Sequence, residues 1–274
     1  MTLVDTHVEP SMAAVSKRAK RIRQALLLGT ILFVLLSFVR VATDADALTS
    51  SITVGAALRS TIPILLAGLA ALWADRVGIV NIGIEGMMIL GTWFGGWAAW
   101  QWGAWVGVLF AVLGGMIGGL IHCTAVTRFN VDHIISGVAI NILAFGAMRY
   151  LSELLFIGEQ GGGITQSPPQ SSSIGKISLP FLSGGADTPD ALGNLEDRGW
   201  FLISDAAGIM RGLTVDVSFL SIIALLLVPA SAYILWRTKF GLRVRSSGEQ
   251  PYAAESLGVK VAPLRYYAMA ISGG

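Results

Sequence analysis

Apolar residues run along this chain in blocks long enough to cross a lipid bilayer, with polar interruptions between them. Blocks at about 24–41, 52–73, 86–100, 104–126, 133–156 and 216–236 meet or approach the ~20 residues that a helix needs to span the hydrocarbon core, and another starts near 264. The pattern predicts an all-α polytopic membrane protein, a multi-helix transmembrane bundle of six complete spans plus a truncated seventh. The last block, LRYYAMAISGG, is too short to cross, so the chain is expected to be truncated at its C-terminus. The first block follows Lys17, Arg18, Lys20, Arg21 and Arg23 and precedes Ala45-Asp46-Ala47, which is also the layout of a secretory signal. A retained helix is the expectation, because the polar gap after it is short and the rest of the chain is itself membrane-embedded.

The polar stretches divide the chain into a basic N-terminal tail, 1–23, and a transmembrane region, 24–274, with two large interruptions. The first, 157–215, contains GGGITQSPPQSSS and the acids Glu159, Asp187, Asp190, Glu196, Asp197 and Asp205. So many chain-breakers over such a length predict a loop or a loosely folded insert, either an external insertion with little structure or a platform that touches an external partner or caps the pore. Its run WFLISDAAGIMRGL is long enough for a short interfacial helix. The second interruption, 238–262, combines a Gly turn, cations, carboxylates, a Pro and an Ala-rich run. It reads as a structured docking element rather than a plain linker.

Composition agrees with the membrane reading: 54% of residues are apolar, 13% are charged, and the mean hydropathy is +0.68. A soluble domain carries roughly 25% charged residues. The net charge of +2 gives no sign of nucleic-acid binding, but its distribution is informative. Lys and Arg favour the cytoplasmic side of short loops. Placing the N-terminal cations inside puts Arg237, Lys239, Arg243, Arg245, Lys260 and Arg265 inside as well, after six crossings. The outside loops then hold only Lys176, Arg198 and Arg211. A single cysteine, Cys123, excludes an internal disulfide.

Candidate chemistry within the spans is sparse. The stretch 74–86, ADRVGIVNIGIEG, joins the second and third blocks and reads either as a broken helix lining a translocation path or as an ordinary turn with a helix cap. Asn81 and Glu85 are four apart and share a face if helical. Asn141, in the fifth block, either faces the path or bonds a neighbouring helix. Gly114, Gly115, Gly118 and Gly119 predict close helix packing. Arg149 and Glu153 are expected to pair, His122 and Cys123 to be core residues, and Asp132-His133 to cap a helix. No phosphate-binding loop, nucleophile elbow or metal-ligand set occurs, so the chain is read as a non-catalytic subunit without metal or cofactor.

Two stretches carry a family resemblance. The segment 238–259, TKFGLRVRSSGEQPYAAESLGV, resembles the cytoplasmic coupling loop of ABC importer permeases of the simple-sugar and nucleoside group. Thr238, Phe240, Gly241, Leu242, Arg243, Arg245, Gly248, Glu249, Ala253, Ala254 and Gly258 stand where that pattern wants them. The stretch DRVGIVNIGIEGMM is similar to a second motif of the same group. The resemblance implies a multi-pass subunit of a bacterial-type plasma membrane, importing a small polar solute, a nucleoside or simple sugar. Its implied partners are a cytoplasmic ABC ATPase, a second permease subunit and an external substrate-binding protein. The implied ATPase-coupling residues are Phe240, Gly241, Arg243, Arg245, Gly248, Glu249, Pro251, Ala253, Ala254 and Gly258, and the translocation path is expected to include Asn81, Glu85 and Asn141. Gly248 is expected to form a tight turn. Pro251 to Leu257 is expected to form a short helix that ATP-driven closure pushes, with Arg243, Arg245, Glu249 and Glu255 on its charged face and Ala253, Ala254 and Gly258 seating it in a groove. An ion-coupled secondary transporter, or a permease for branched-chain amino acids, is the alternative.

Overall fold

The computed structural model describes residues 12–159, 168–169, 173–185 and 188–274, with side chains described from residue 20 onward. The first eleven residues of the basic tail, most of the GGGITQSPPQSSS run and Asp187 therefore lie outside the described residues.

Helices dominate. In chain order they are α1 (Met12–Thr43), α2 (Ser51–Arg76), α3 (Ile84–Trp102), α4 (Ala104–Arg128), α5 (His133–Phe156), α6 (Ala191–Glu196), α7 (Ile203–Thr214), α8 (Phe219–Arg237), α9 (Lys239–Glu249), α10 (Pro251–Ser256) and α11 (Val261–Gly273). Two-residue strands, β1 (Lys176–Ile177) and β2 (Val217–Ser218), flank the segment that holds α6 and α7. Among the described residues five stretches are long and apolar enough to cross a membrane: Lys20–Thr43, Asp46–Arg76, Ala104–Arg128, His133–Phe156 and Phe219–Arg237. The helix α3, expected as a complete span, is absent from these five. It is 19 residues long but takes its apolar character from Trp93, Trp97, Trp100 and Trp102 and from small residues rather than from Leu, Ile and Val.

The chain forms two compact units, 1–58 with 177–217 and 59–176 with 218–274. In the first, the part of the insert from 177 to 215 holds the short helices α6 and α7. Asp190 caps α6 by accepting from the Gly193 amide, and α7 covers most of the run read as a short helix and ends one residue beyond it. Asp205, fully buried, accepts from Ser37 and from Thr49 Oγ1 at 2.5 Å, and pairs with Arg40 Nε at 2.8 Å. Burial alone raises its carboxyl, but the bonds from Ser37 and Thr49 and the Arg40 charge outweigh that and hold it below the usual carboxylate range. Arg211 pairs with Asp190 at 2.7 Å and with Glu196 at 3.2 Å.

The second unit is a bundle in which α4 packs lengthwise between α3 and α11 through glycine. A methyl on Gly118 would lie 2.9 Å from the Met87 side chain, and one on Gly114 would lie 3.0 Å from the Leu90 carbonyl. On the opposite flank a Cβ at Gly119 would collide with the Met269 carbonyl, and one at Gly115 with that of Gly273. Glycine thus lets these backbones approach, as the spacing predicted. The buried core (Trp73, Ala74, Val77, Ile79, Met87, Cys123, Leu235, Val244, Leu264 and Met269 among others) gathers at the end where α2, α4 and α8 finish.

Candidate functional site

At that end helix α2 stops abruptly. The amides of Gly78 and Ile79 bond back to the carbonyls of Asp75 and Ala74, with Gly78 at φ +82°. This is a Schellman closure, which needs a left-handed residue that glycine adopts without strain. The chain then runs without helix from Val77 to Gly83 before α3 begins. Backbone polar groups inside a membrane protein must find partners, and here neighbouring helices supply them. The Val80 amide donates to His133 Nδ1 at 3.0 Å, and the Val80 carbonyl lies 3.2 Å from His122 Nε2, which therefore carries the proton. His122 Nδ1 in turn meets Ser136 Oγ at 2.9 Å. Asn141 brackets the start of α3, accepting from the Gly86 amide at 2.7 Å and donating to the Ile82 carbonyl at 3.1 Å. Asn81 donates to Ser272 on α11 at 3.1 Å, while its Oδ1 is buried without a hydrogen-bond partner.

These contacts revise several expectations. Asn81 lies outside the helix, so it does not share a helical face with Glu85, which is exposed in the first turn of α3. Both ends of the Asn141 amide are spent on backbone, so its interhelical role is the one the geometry displays. His122 is buried as expected, but it serves the break rather than merely filling the core. Asp132 caps α5, accepting from the amides of Ile134 and Ile135, and Arg149 lies 3.9 Å from Glu153.

The segment 238–259 holds two helices, α9 and α10, rather than a loop. Thr238 ends α8 and caps α9: its hydroxyl donates to the Ile234 carbonyl at 2.6 Å and accepts from the Gly241 amide at 3.1 Å. Gly241 lies against the backbone of Ile234 and Leu235, where a Cβ would be 2.5 Å from the Leu235 carbonyl oxygen. The Phe240 ring lies 6.4 Å from that of Trp73. Gly248 was expected in a tight turn, but it is helical; its constraint is proximity. A methyl on Gly248 would sit 2.5 Å from the Arg76 carbonyl oxygen and 2.9 Å from the Gly78 nitrogen. Two backbones thus meet with no side chain between them. The left-handed glycine of this segment is Gly258, at φ +83°, which closes α10 by the same Schellman pattern, with amides of Gly258 and Val259 bonded to Glu255 and Ala254.

Side chains of α9 and α10 divide between an inner and an outer face. Val244, Ser247 and Ala254 are buried. Leu242, Arg243, Glu249, Ala253, Glu255 and Gly258 are exposed, and Pro251 opens α10 half-buried. Tyr252 and Leu257 are 87% and 84% exposed, unusual for large apolar residues in a segment that is not a span. Arg245 does not share the outer charged face; its Nε donates to the Leu235 carbonyl at 3.0 Å. Ser272, Gly78 and the two histidines carry no functional signal in the sequence. An isolated polar residue in an apolar block is the one hint of such a bracket, and Asn141 shows it most plainly.

Comparison with known proteins places this chain in a family. Residues 53–274 match the family described as branched-chain amino acid transport system / permease component. The chain is 34% identical over 230 residues to the guanosine ABC transporter permease protein NupQ of Bacillus subtilis, which covers 81% of this chain and 64% of that protein. It is 30% identical over 218 residues to the nucleoside ABC transporter permease protein NupC of Lactococcus lactis (77% and 60%), and 28% identical over 221 residues to the putative glucose ABC transporter permease protein TsgC13 of Haloferax volcanii (80% and 58%). The chain thus spans about three-fifths of the length of these relatives. No solved structure matches. The family match takes in the interrupted segment, its brackets and both helices after α8, and the chain is a multi-pass membrane protein belonging to this family of transport-system permease components.

Proposed function

We infer that this chain is the membrane-spanning subunit of an ATP-driven importer, moving a nucleoside or simple sugar across a bacterial-type plasma membrane. The observation that carries this reading is the backbone contact of Gly248 with Arg76 and Gly78. It joins an element with an exposed, mixed apolar and charged face to a non-helical segment wrapped by α3, α4, α5 and α11. A cytoplasmic ATPase pressing on Leu242, Tyr252 and Leu257 would move α9, and α9 cannot move without Gly78. Displacement of the 77–83 segment would then shift the helices that hold it, consistent with rocking about a site at the break. In this reading α3 counts as a sixth span, because it packs along α4, and 1–23 and 238–262 lie inside with 157–215 outside. A second permease subunit and an external binding protein complete the assembly, and ATP hydrolysis belongs to the partner ATPase.

The names of the nucleoside permeases from Bacillus and Lactococcus favour a nucleoside as cargo over a sugar or a branched-chain amino acid. The test is uptake of labelled guanosine, glucose and leucine by cells expressing the chain with its ATPase and binding protein. Guanosine accumulation that stops when the ATPase is inactivated is expected. Uptake that persists without the ATPase, driven by an ion gradient, would refute the reading.

A further inference from the structure

Two arginines from different helices converge on one tryptophan at the end of the bundle where α2 and α8 finish. The Arg76 guanidinium carbon lies 5.5 Å from the centre of the Trp236 ring, and that of Arg245 lies 6.0 Å from it. Each is within cation–π range, but the ring is neutral and balances neither positive charge. Among the described residues neither arginine has a carboxylate oxygen within 4.0 Å of its nitrogens. Asp75 and Glu249, the acids nearest in sequence, are exposed and form no such pair. Arg76 Nε is buried with no hydrogen-bond partner, and buried guanidinium donors seek acceptors. Trp236 remains 45% exposed in the last turn of α8, and Tyr233, one turn before it, is 65% exposed. Exposed aromatics in the final turn of a span sit at the headgroup level of a bilayer.

We propose that Arg76, Trp236 and Arg245 form a binding site for the phosphate of an anionic lipid headgroup. The guanidiniums supply the charge-assisted donors, and Trp236 and Tyr233 take the glycerol and upper acyl chain. Membrane lipid is favoured over an acidic protein partner by placement. Arg76 is the last residue of α2, and Arg245 turns back onto the Leu235 carbonyl of α8, whereas Leu242, Arg243, Tyr252 and Leu257 occupy the exposed face of α9 and α10.

Native mass spectrometry of the detergent-purified full chain tests this, with added palmitoyl-oleoyl phosphatidylglycerol, phosphatidylcholine of the same chains, or inorganic phosphate. Phosphatidylglycerol should be retained in preference to phosphatidylcholine, and inorganic phosphate should neither be retained nor displace it. Arg76→Gln and Arg245→Gln should each lower phosphatidylglycerol retention about fivefold, and Arg128→Gln, an exposed cation at the same end of α4, should leave it unchanged. Should Arg76→Gln fail to fold, Arg245→Gln and the headgroup comparison on the parent chain decide. Equal retention of the two lipids, displacement by inorganic phosphate, an Arg128→Gln loss matching that of Arg245→Gln, or displacement of lipid by the purified ATPase would each overturn the proposal.

Discussion

Single residues in the second unit are constrained for different reasons that composition does not distinguish. Gly248 and Gly258 stand ten positions apart in one segment; one must lack a Cβ because a backbone lies against it, the other because its φ is positive. Gly258→Ala should therefore cost about 1–2 kcal/mol of local stability and leave coupling intact, since nothing lies within 4 Å of the added methyl. Gly248→Ala should cost a comparable 1–3 kcal/mol or so, but it should also separate α9 from Gly78 and uncouple ATP hydrolysis from uptake. Paired ATPase and uptake assays on the reconstituted transporter distinguish the two, and intact coupling in both variants would remove the mechanical argument. Asn141→Ala strands the Gly86 amide and the Ile82 carbonyl, so a loss of about 1–3 kcal/mol in detergent melting is expected; an unchanged melt would mean water replaces the bracket. The sequence exposed Asn141 because an amide inside an apolar block demands a partner. It did not expose which partner, because Gly86 and Ile82 lie more than fifty residues away in the chain.

Whole elements were legible where apolar runs are long and uninterrupted. The blocks that became α2, α4, α5 and α8 announce themselves through Leu, Ile, Val and Ala, and Asp132 marks the start of α5 through ordinary capping chemistry. Legibility failed at α9, where Lys239 to Glu249 is polar and rich in Gly and Ser, so the segment reads as loop. It is helical because Thr238 caps it and because Val244 and Ser247 are buried. A topology test follows from the element assignment. Cysteine placed at Ser173, exposed before β1, should react with an impermeant reagent from outside, and cysteine at Ser256, exposed at the end of α10, should react only after permeabilisation. Native Cys123 is buried and gives little background. Ser247, although in the same segment, is fully buried and would be a misleading probe. Equal labelling of the two exposed positions in intact cells would invert or abolish the proposed orientation.

At the scale of the molecule, the first unit carries an acid-sensitive lock. Asp205 has a folded pKa below its unfolded value, so its contribution is fully present above about pH 4, the ordinary carboxylate range, and is lost as pH falls through the depressed folded value. Thermal melts from pH 7 down to pH 3 should show an acid limb that Asp205→Asn flattens; an identical limb in the variant would assign the acid sensitivity elsewhere. The second unit carries its constraint in the contact between Gly78 and Gly248. A junction made of side chains yields under load, because rotamers can slip before the backbone moves. Two peptide chains in direct apposition have no such slack, so in the proposed mechanism a small displacement of α9 would pass directly to the interrupted segment. In the proposed mechanism the same arrangement separates fit from force: residues on the outer face of α9 and α10 could be retailored to a different motor protein, while Gly248, where the stroke would enter, has no room for a methyl without a backbone shift.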